Sequence, residues 1–195
     1  MEKFEKRMYF FVPYQLTGIQ QGIQSGHSAL RFALRYGRYN PNHIIWDFIE
    51  NYQTWVILNG GTTSNDLDAP GTLDSTYRSL RDNDIDCTGF CEPDLNNALT
   101  AVCFICDERV FNKKLYPDFI DFMANEVFPE IVESDYSEDD FIDAKLNRDY
   151  EVYKYKNKFR FQNISKFPEY KEWIKSLGGE KNVFLRELIK DKKLA

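Results

Sequence analysis

Two apolar runs, residues 87–91 and 98–106, are separated by six residues, too few for the crossover helix that joins parallel strands. They are predicted to pair as an antiparallel hairpin. The second run, Leu99-Thr100-Ala101-Val102-Cys103-Phe104-Ile105-Cys106, is nearly continuous in hydrophobicity, as strands covered on both faces are. Helices must cover it, and the sequence supplies candidates. Met8-Tyr9-Phe10-Phe11-Val12 reads as a first buried strand and Trp55-Val56-Ile57-Leu58 as another. Between and beside them, helical patterns begin at the Thr17-Gly18-Ile19-Gln20 capping box, at His43 and near Gly71.

The order strand, helix, helix, strand, helix, strand, strand, helix implies an α/β fold. We expect a three-layer sandwich with a mixed four-stranded sheet flanked by helices, plus a charged helical C-terminal extension. The helix over residues 119–131 should cover the sheet and end near Pro129. Helices at 168–176 and 181–193, separated by Gly178-Gly179, finish the chain. A length of 195 residues suits one domain with an appendage. We divide it into a domain at 1–128, an acidic linker at 129–144 and a basic, aromatic-rich helical tail at 145–195. No apolar run approaches the roughly 18 residues that span a bilayer. The N-terminus leads straight into a short strand-like run without a secretory signal's apolar core, so a cytoplasmic protein with no membrane partner is expected.

Charge supports this division. Residues 1–110 carry 9 basic and 14 acidic side chains, residues 111–144 carry 2 and 10, and residues 145–195 carry 14 and 7. The basic tail also holds Tyr150, Tyr153, Tyr155, Phe159, Phe161, Phe167, Tyr170 and Trp173. Cations interleaved with aromatics suit phosphates and stacked bases. The same aromatics suit packing on a core, and the acidic stretch could pair with the basic one. Cys87, Cys91, Cys103 and Cys106 read as buried, reduced thiols, because residues three apart on a strand point to opposite faces. No metal site is assigned to them. No Walker-type loop and no helical His-Glu metal motif occurs, so no cofactor is expected.

At 100° per residue, Ile19, Ile23, Gly26, Leu30, Ala33 and Leu34 share one face of the first helix. This face is expected to be its buried edge. Gln20, Gln24, His27, Arg31, Arg35 and Arg38 form a polar, cationic stripe beside it. Sites in such sheets lie at the carboxyl ends of strands. Those ends bring together the start of helix one, the Asn59-Gly60-Gly61-Thr62-Thr63-Ser64 loop and Glu92-Pro93-Asp94. The loop's glycines suit either an anion-binding nest or a plain turn.

The element order and two motifs resemble the archaeal and eukaryotic class of peptidyl-tRNA hydrolase, over roughly residues 8–125. Gln20-Gln21-Gly22-Ile23-Gln24-Ser25-Gly26-His27-Ser28-Ala29 is similar to that family's helix-one signature, aligning Gln24 and His27. Glu92-Pro93-Asp94-Leu95-Asn96-Asn97-Ala98-Leu99-Thr100-Ala101 is similar to its Asp-containing turn and strand-initial Thr, aligning Asp94 and Thr100. The resemblance implies hydrolysis of the ester joining a peptide to tRNA, catalysed by His27, Asp94, Thr100 and Gln24. Imidazole titrates near pH 6.5 and is the natural base, with Asp94 orienting it. Thr100 or Gln24 would position the water or the carbonyl. Amides of Gly60 and Gly61, with Asn59, would supply oxyanion donors, and Gln20, Arg31 and Arg35 would hold the RNA. The family's helix-one lysine falls on Gln20, which removes a cation. The competing expectation is therefore an inactive binding module of the same fold, taking RNA, a nucleotide or a protein partner, with an inhibitor role among its uses. A homodimer is implied by the family alone.

Overall fold

A computed structural model describes residues 3–66, 68–132, 135, 137–159, 162–190, 192 and 194. The four strands are β1 (Lys6–Pro13), β2 (Thr54–Gly61), β3 (Cys87–Glu92) and β4 (Ala98–Asp107). They form one sheet in the order β2-β1-β4-β3. β1 runs parallel to β2, and β4 runs antiparallel to both β1 and β3. The carboxyl ends of β1, β2 and β3 therefore share one edge with the start of β4. Asn96 and Asn97, at φ of 51° and 60°, close the β3–β4 hairpin in the left-handed region that Asn tolerates.

The helices are α1 (Gly18–Phe32), α2 (Ile44–Asn51), α3 (Thr72–Asp82), α4 (Glu108–Phe111), α5 (Phe119–Val127), α6 (Glu138–Phe159), α7 (Glu169–Ser176) and α8 (Glu180–Lys190). One sheet face packs Met8, Phe10, Cys103 and Ile105 against Phe32, Ile45 and Phe48 of α1 and α2. The other packs Tyr9, Phe11, Phe104 and Cys106 against Leu73 and Leu80 of α3 and Leu185 of α8. Cys103 and Cys106 thus lie on opposite faces. The result is the expected α/β sandwich with a mixed four-stranded sheet.

The chain divides into two compact units, one of residues 1–111 and 181–195 and one of residues 112–180. The expected tail is therefore shared between them, with α8 closing the sheet unit. The expected 181–193 helix runs as far as Lys190, and its positions 191 and 193 lie outside the described residues. The helix expected over the sheet is α5, which ends before Pro129 and belongs to the second unit. There Phe119 meets Phe167, Tyr170 and Trp173 at centroid distances of 6.2, 5.3 and 5.8 Å. Phe159 joins this cluster through Phe167, Tyr155 lies beside Phe159, and Phe128 packs on Tyr155. Most of the tail's aromatics are core of the second unit, while Tyr150 and Tyr153 are exposed. Phe161 lies outside the described residues.

The acidic stretch expected as a linker provides the first turn of α6. Ser137 donates to Asp140 and accepts from its amide, with Glu138, Asp139 and Asp140 in the first turn and Lys156 and Lys158 in the last. Negative charge at the N-terminus and positive charge at the C-terminus both favour the helix dipole. Glu133, Ser134 and Tyr136 of that stretch lie outside the described residues.

The first helix reverses the expected facing. Gln21, Gln24, Ser25, Ser28 and Phe32 are buried, whereas Ile19, Ile23, Leu30 and Leu34 are 51–79% exposed. The reason is the edge strand it covers. β3 has one neighbour, so its outer peptide groups need donors and acceptors from elsewhere. Ser28 Oγ donates to Thr88 O and Thr88 Oγ1 donates to Ser28 O. Tyr36 Oη, in the π-helical turn Ala33–Gly37, donates to Cys87 O and accepts from Cys87 N. Leucines could not do this.

Candidate functional site

The pairing of β3 with β4 steps from Phe90↔Ala101 to Cys91↔Leu99, leaving Thr100 as an extra residue. Such a bulge re-aims a side chain. The Thr100 hydroxyl points at α1, where it donates to Gln24 Oε1 at 2.8 Å and lies 3.3 Å from Phe90 O. Gln24 Nε2 in turn donates to Glu92 Oε2 at 2.6 Å. The carboxylate accepts and the hydroxyl donates, so only one orientation of the Gln24 amide satisfies both neighbours. The second Nε2 hydrogen of Gln24 makes no hydrogen bond among the described residues.

His27 sits one turn along α1. Its ring packs on Phe90 with centroids 4.5 Å apart, and its Nδ1 is buried with no hydrogen-bond partner. The guanidinium of Arg31 lies 4.6 Å from the same Phe90 ring and reaches Gly89 O at 3.5 Å. Arg31, Leu34 and Arg35 with Tyr77, Thr88 and Gly89 line an open hollow of about 450 Å³ beside β3. Gln24, His27, Arg31 and Thr100 are therefore brought together, and Arg35 shares the hollow with Arg31.

The other expected residues are placed differently. Asp94 lies exposed in the 3-10 turn Pro93–Leu95, with no hydrogen bond joining it to His27 among the described residues. The carboxylate within the constellation is that of Glu92. Gln20 is exposed and completes the capping box, its Oε1 accepting from Thr17 N at 3.0 Å. Asn59 Oδ1 accepts from Gly61 N at 2.8 Å, so this amide is already engaged and does not serve as an oxyanion donor. Gly60 and Gly61 have packing roles. A Cβ on Gly60 would meet Leu73 at 2.8 Å, and one on Gly61, at φ +88°, would meet Thr72 Oγ1 at 2.0 Å.

Two contributors were missed from the sequence, Glu92 and Phe90. Glu92 had a signal, because it opens the motif that contains Asp94. Phe90 had none beyond its place in a strand.

The four thiols are free. Burial pushes Cys87 up to about 12, helped by the neighbouring Cys103. Burial likewise pushes Cys103 up to about 11, against hydrogen bonds from Ser28 and Thr88. Thiols held neutral in this way are poor nucleophiles and poor metal ligands. Among the described residues no group of three or more His, Cys, Asp or Glu side chains could hold a metal ion, and no helix is long and apolar enough to cross a membrane. No protein-family model matches the chain, and no curated protein matches it.

Proposed function

We propose that the chain is a binding module with a hydrolase-like site, which holds the 3′ end of an RNA at Gln24, His27 and Arg31 without turning it over. The observation that carries this reading is the buried, partnerless Nδ1 of His27. A histidine acting as base at Nε2 carries its proton on Nδ1, where it needs an acceptor, and a buried N–H without one is costly. The tautomer that avoids this puts the hydrogen on Nε2, making His27 a hydrogen-bond donor. With the free Nε2 hydrogen of Gln24, the site offers two donors toward a carbonyl or phosphate oxygen. Phe90, packed between His27 and Arg31, holds these two side chains beside each other, and Arg31 and Arg35 supply the cations that phosphates need.

The hydrolase reading stands second, favoured by the Gln24–Thr100 hydrogen bond that joins the two resembling motifs. In it, His27 takes a proton from water as that water attacks the ester carbonyl. Gln24 donates to the developing oxyanion, and His27 returns the proton to the departing ribose oxygen.

Two measurements separate the readings. In anisotropy titrations, 3′-labelled tRNA should bind the wild type. Arg31→Ala and Arg35→Ala should each weaken binding and lower the salt slope by about one. In single-turnover assays with peptidyl-tRNA, the wild type should be silent. Hydrolysis by the wild type that disappears in His27→Ala would establish the enzyme. A gain of hydrolysis in Gln20→Lys would mark a retired member of the resembled family. Absence of RNA binding would overturn the first reading.

A further inference from the structure

The hollow beside β3 draws on two helices. Arg31, Leu34 and Arg35 come from α1, and Tyr77 comes from α3, on the opposite face of the sheet. Arg81, one turn further along α3, lies over the Tyr77 ring at 5.9 Å. Burial and Cys103 raise the Cys87 thiol at the start of β3, and Arg35 and Arg81 both draw it back, so both cations lie near that point of the strand. Each guanidinium rests on an aromatic ring: Arg31 is 4.6 Å from the Phe90 centroid and Arg35 is 5.4 Å from that of Tyr36. Stacking occupies the flat face of the group and leaves its N–H edge for a ligand. Arg7, Arg109 and Arg148 are ion-paired, whereas Arg31, Arg35 and Arg81 pair with no carboxylate among the described residues. The Tyr77 hydroxyl makes no hydrogen bond among them either.

The carboxylates of this region are engaged or lie apart. Asp86 pairs with His43, and Glu92 accepts from Gln24. Asp74 acts on Cys91, toward the other end of β3, and Asp82 and Asp84 are exposed at the end of α3 and in the turn after it. None of them lines the hollow. Its occupant should therefore carry concentrated negative charge. A phosphate monoester has a charge of about −1.5 to −2 near pH 7 and three strong acceptor oxygens, whereas a diester has a single charge. A volume of about 450 Å³ suits a small molecule, and Leu34 and Tyr77 offer apolar walls to the body that carries the phosphate. We propose that this hollow is a site for a phosphate monoester, in which Arg31, Arg35 and Arg81 converge on the phosphate oxygens and the Tyr77 hydroxyl donates to one of them.

Calorimetric titration of the full chain with adenosine 5′-monophosphate, its 3′,5′-cyclic diester and adenosine tests it. The monoester should bind, the cyclic diester about tenfold more weakly, and adenosine not at all in the same range. Arg81→Ala should weaken the monoester about tenfold, and Tyr77→Phe, which keeps the ring, severalfold, both with unchanged circular dichroism. Absence of monoester binding, equal binding of the two esters, or an affinity unchanged in either variant would overturn the proposal. An RNA oligonucleotide compared with and without a terminal phosphate separates the sources of the monoester. Preference for the phosphorylated end assigns it to an RNA terminus, and monoester binding without that preference assigns it to a small molecule. The site shares Arg31 and Arg35 with the function proposed above, yet the two fail separately. Adenosine monophosphate bound where tRNA is not would leave the hollow standing and remove the RNA reading, and tRNA bound where adenosine monophosphate is not would do the reverse.

Discussion

Replacing Thr100 by Val keeps a β-branched side chain of similar shape and removes one hydroxyl. In the fold this hydroxyl is fully buried, donates to Gln24 Oε1 at 2.8 Å and lies 3.3 Å from Phe90 O. Val therefore leaves the Gln24 oxygen without its donor, among side chains that exclude water. Loss of an ordinary hydrogen bond costs about 1 kcal/mol, and a buried polar atom left unpaired costs roughly 1–3 kcal/mol. We expect Thr100→Val to destabilise the sheet unit by about 2 kcal/mol. Thr100→Ser keeps the donor and should lose only about 0.8 kcal/mol for the methyl group. On a Gln24→Leu background the acceptor is gone, so Thr100→Val should cost at least about 1 kcal/mol less than in the wild type. Because the chain has two compact units, hydrogen exchange of the β3 and β4 amides is the proper readout, as it reports the sheet alone. A Thr100→Val change within about 0.5 kcal/mol of wild type, or full additivity with Gln24→Leu, would refute a coupled pair.

Three further outcomes follow from packing and burial. Gly61→Ala must hold a Cβ at positive φ, at a cost of about 1–2 kcal/mol, and also displace Thr72. We expect a clear fall in the thermal midpoint of the sheet unit. Gly22 has nothing within 4 Å of its Cβ position, so Gly22→Ala should raise stability by about 0.8–1 kcal/mol in urea unfolding. Thiols raised to about 12 at Cys87 and about 11 at Cys103, from 9.0, keep their protons in the fold while the unfolded chain loses them. Stability should therefore fall as pH rises above 9.0 toward those values, by up to about 1.4 kcal/mol per pH unit for each thiol. Cys87→Ala should flatten this slope in alkaline urea titrations, and an unchanged slope would remove the explanation.

The sheet was legible because its signals are local and agree with one another. The short 87–106 hairpin admits only antiparallel pairing, and the runs at Met8 and Trp55 are strongly apolar. The facing of α1 was not legible from periodicity alone. A hydrophobic stripe identifies a helix's buried side only when what it covers is hydrophobic. Here α1 lies over an edge strand whose Cys87, Thr88 and Gly89 carbonyls accept from Tyr36, Ser28 and Arg31. Ser28 turns inward to meet that demand, Gln24 turns inward to Thr100 and Glu92, and Ser25 is accommodated by donating back to Gln21 O, which leaves the isoleucines and leucines outside. Segment charge misled in a related way at α6. The Glu138–Asp140 acids read as a linker because their role depends on a helix N-terminus whose apolar partners, such as Phe128 for Tyr155, lie elsewhere in the chain.

The site shows where residue spacing stops being informative. Gln24, His27 and Arg31 follow one helical edge, so their association is readable from α1 alone. Thr100 joins them because a single unpaired residue in β4 turns its hydroxyl toward α1, and no composition rule marks that position as a bulge. The hairpin geometry likewise selects between two nearby carboxylates. Glu92 is the last residue of β3 and remains tied to the sheet, where it reaches Gln24 at 2.6 Å. Asp94 falls in the turn beyond and is carried out to solvent. Two residues of chain thus move the negative charge from His27, where it would sharpen a base, to Gln24, where it fixes an amide as a donor. It is this donor orientation of the Gln24 amide on which the proposed binding role rests.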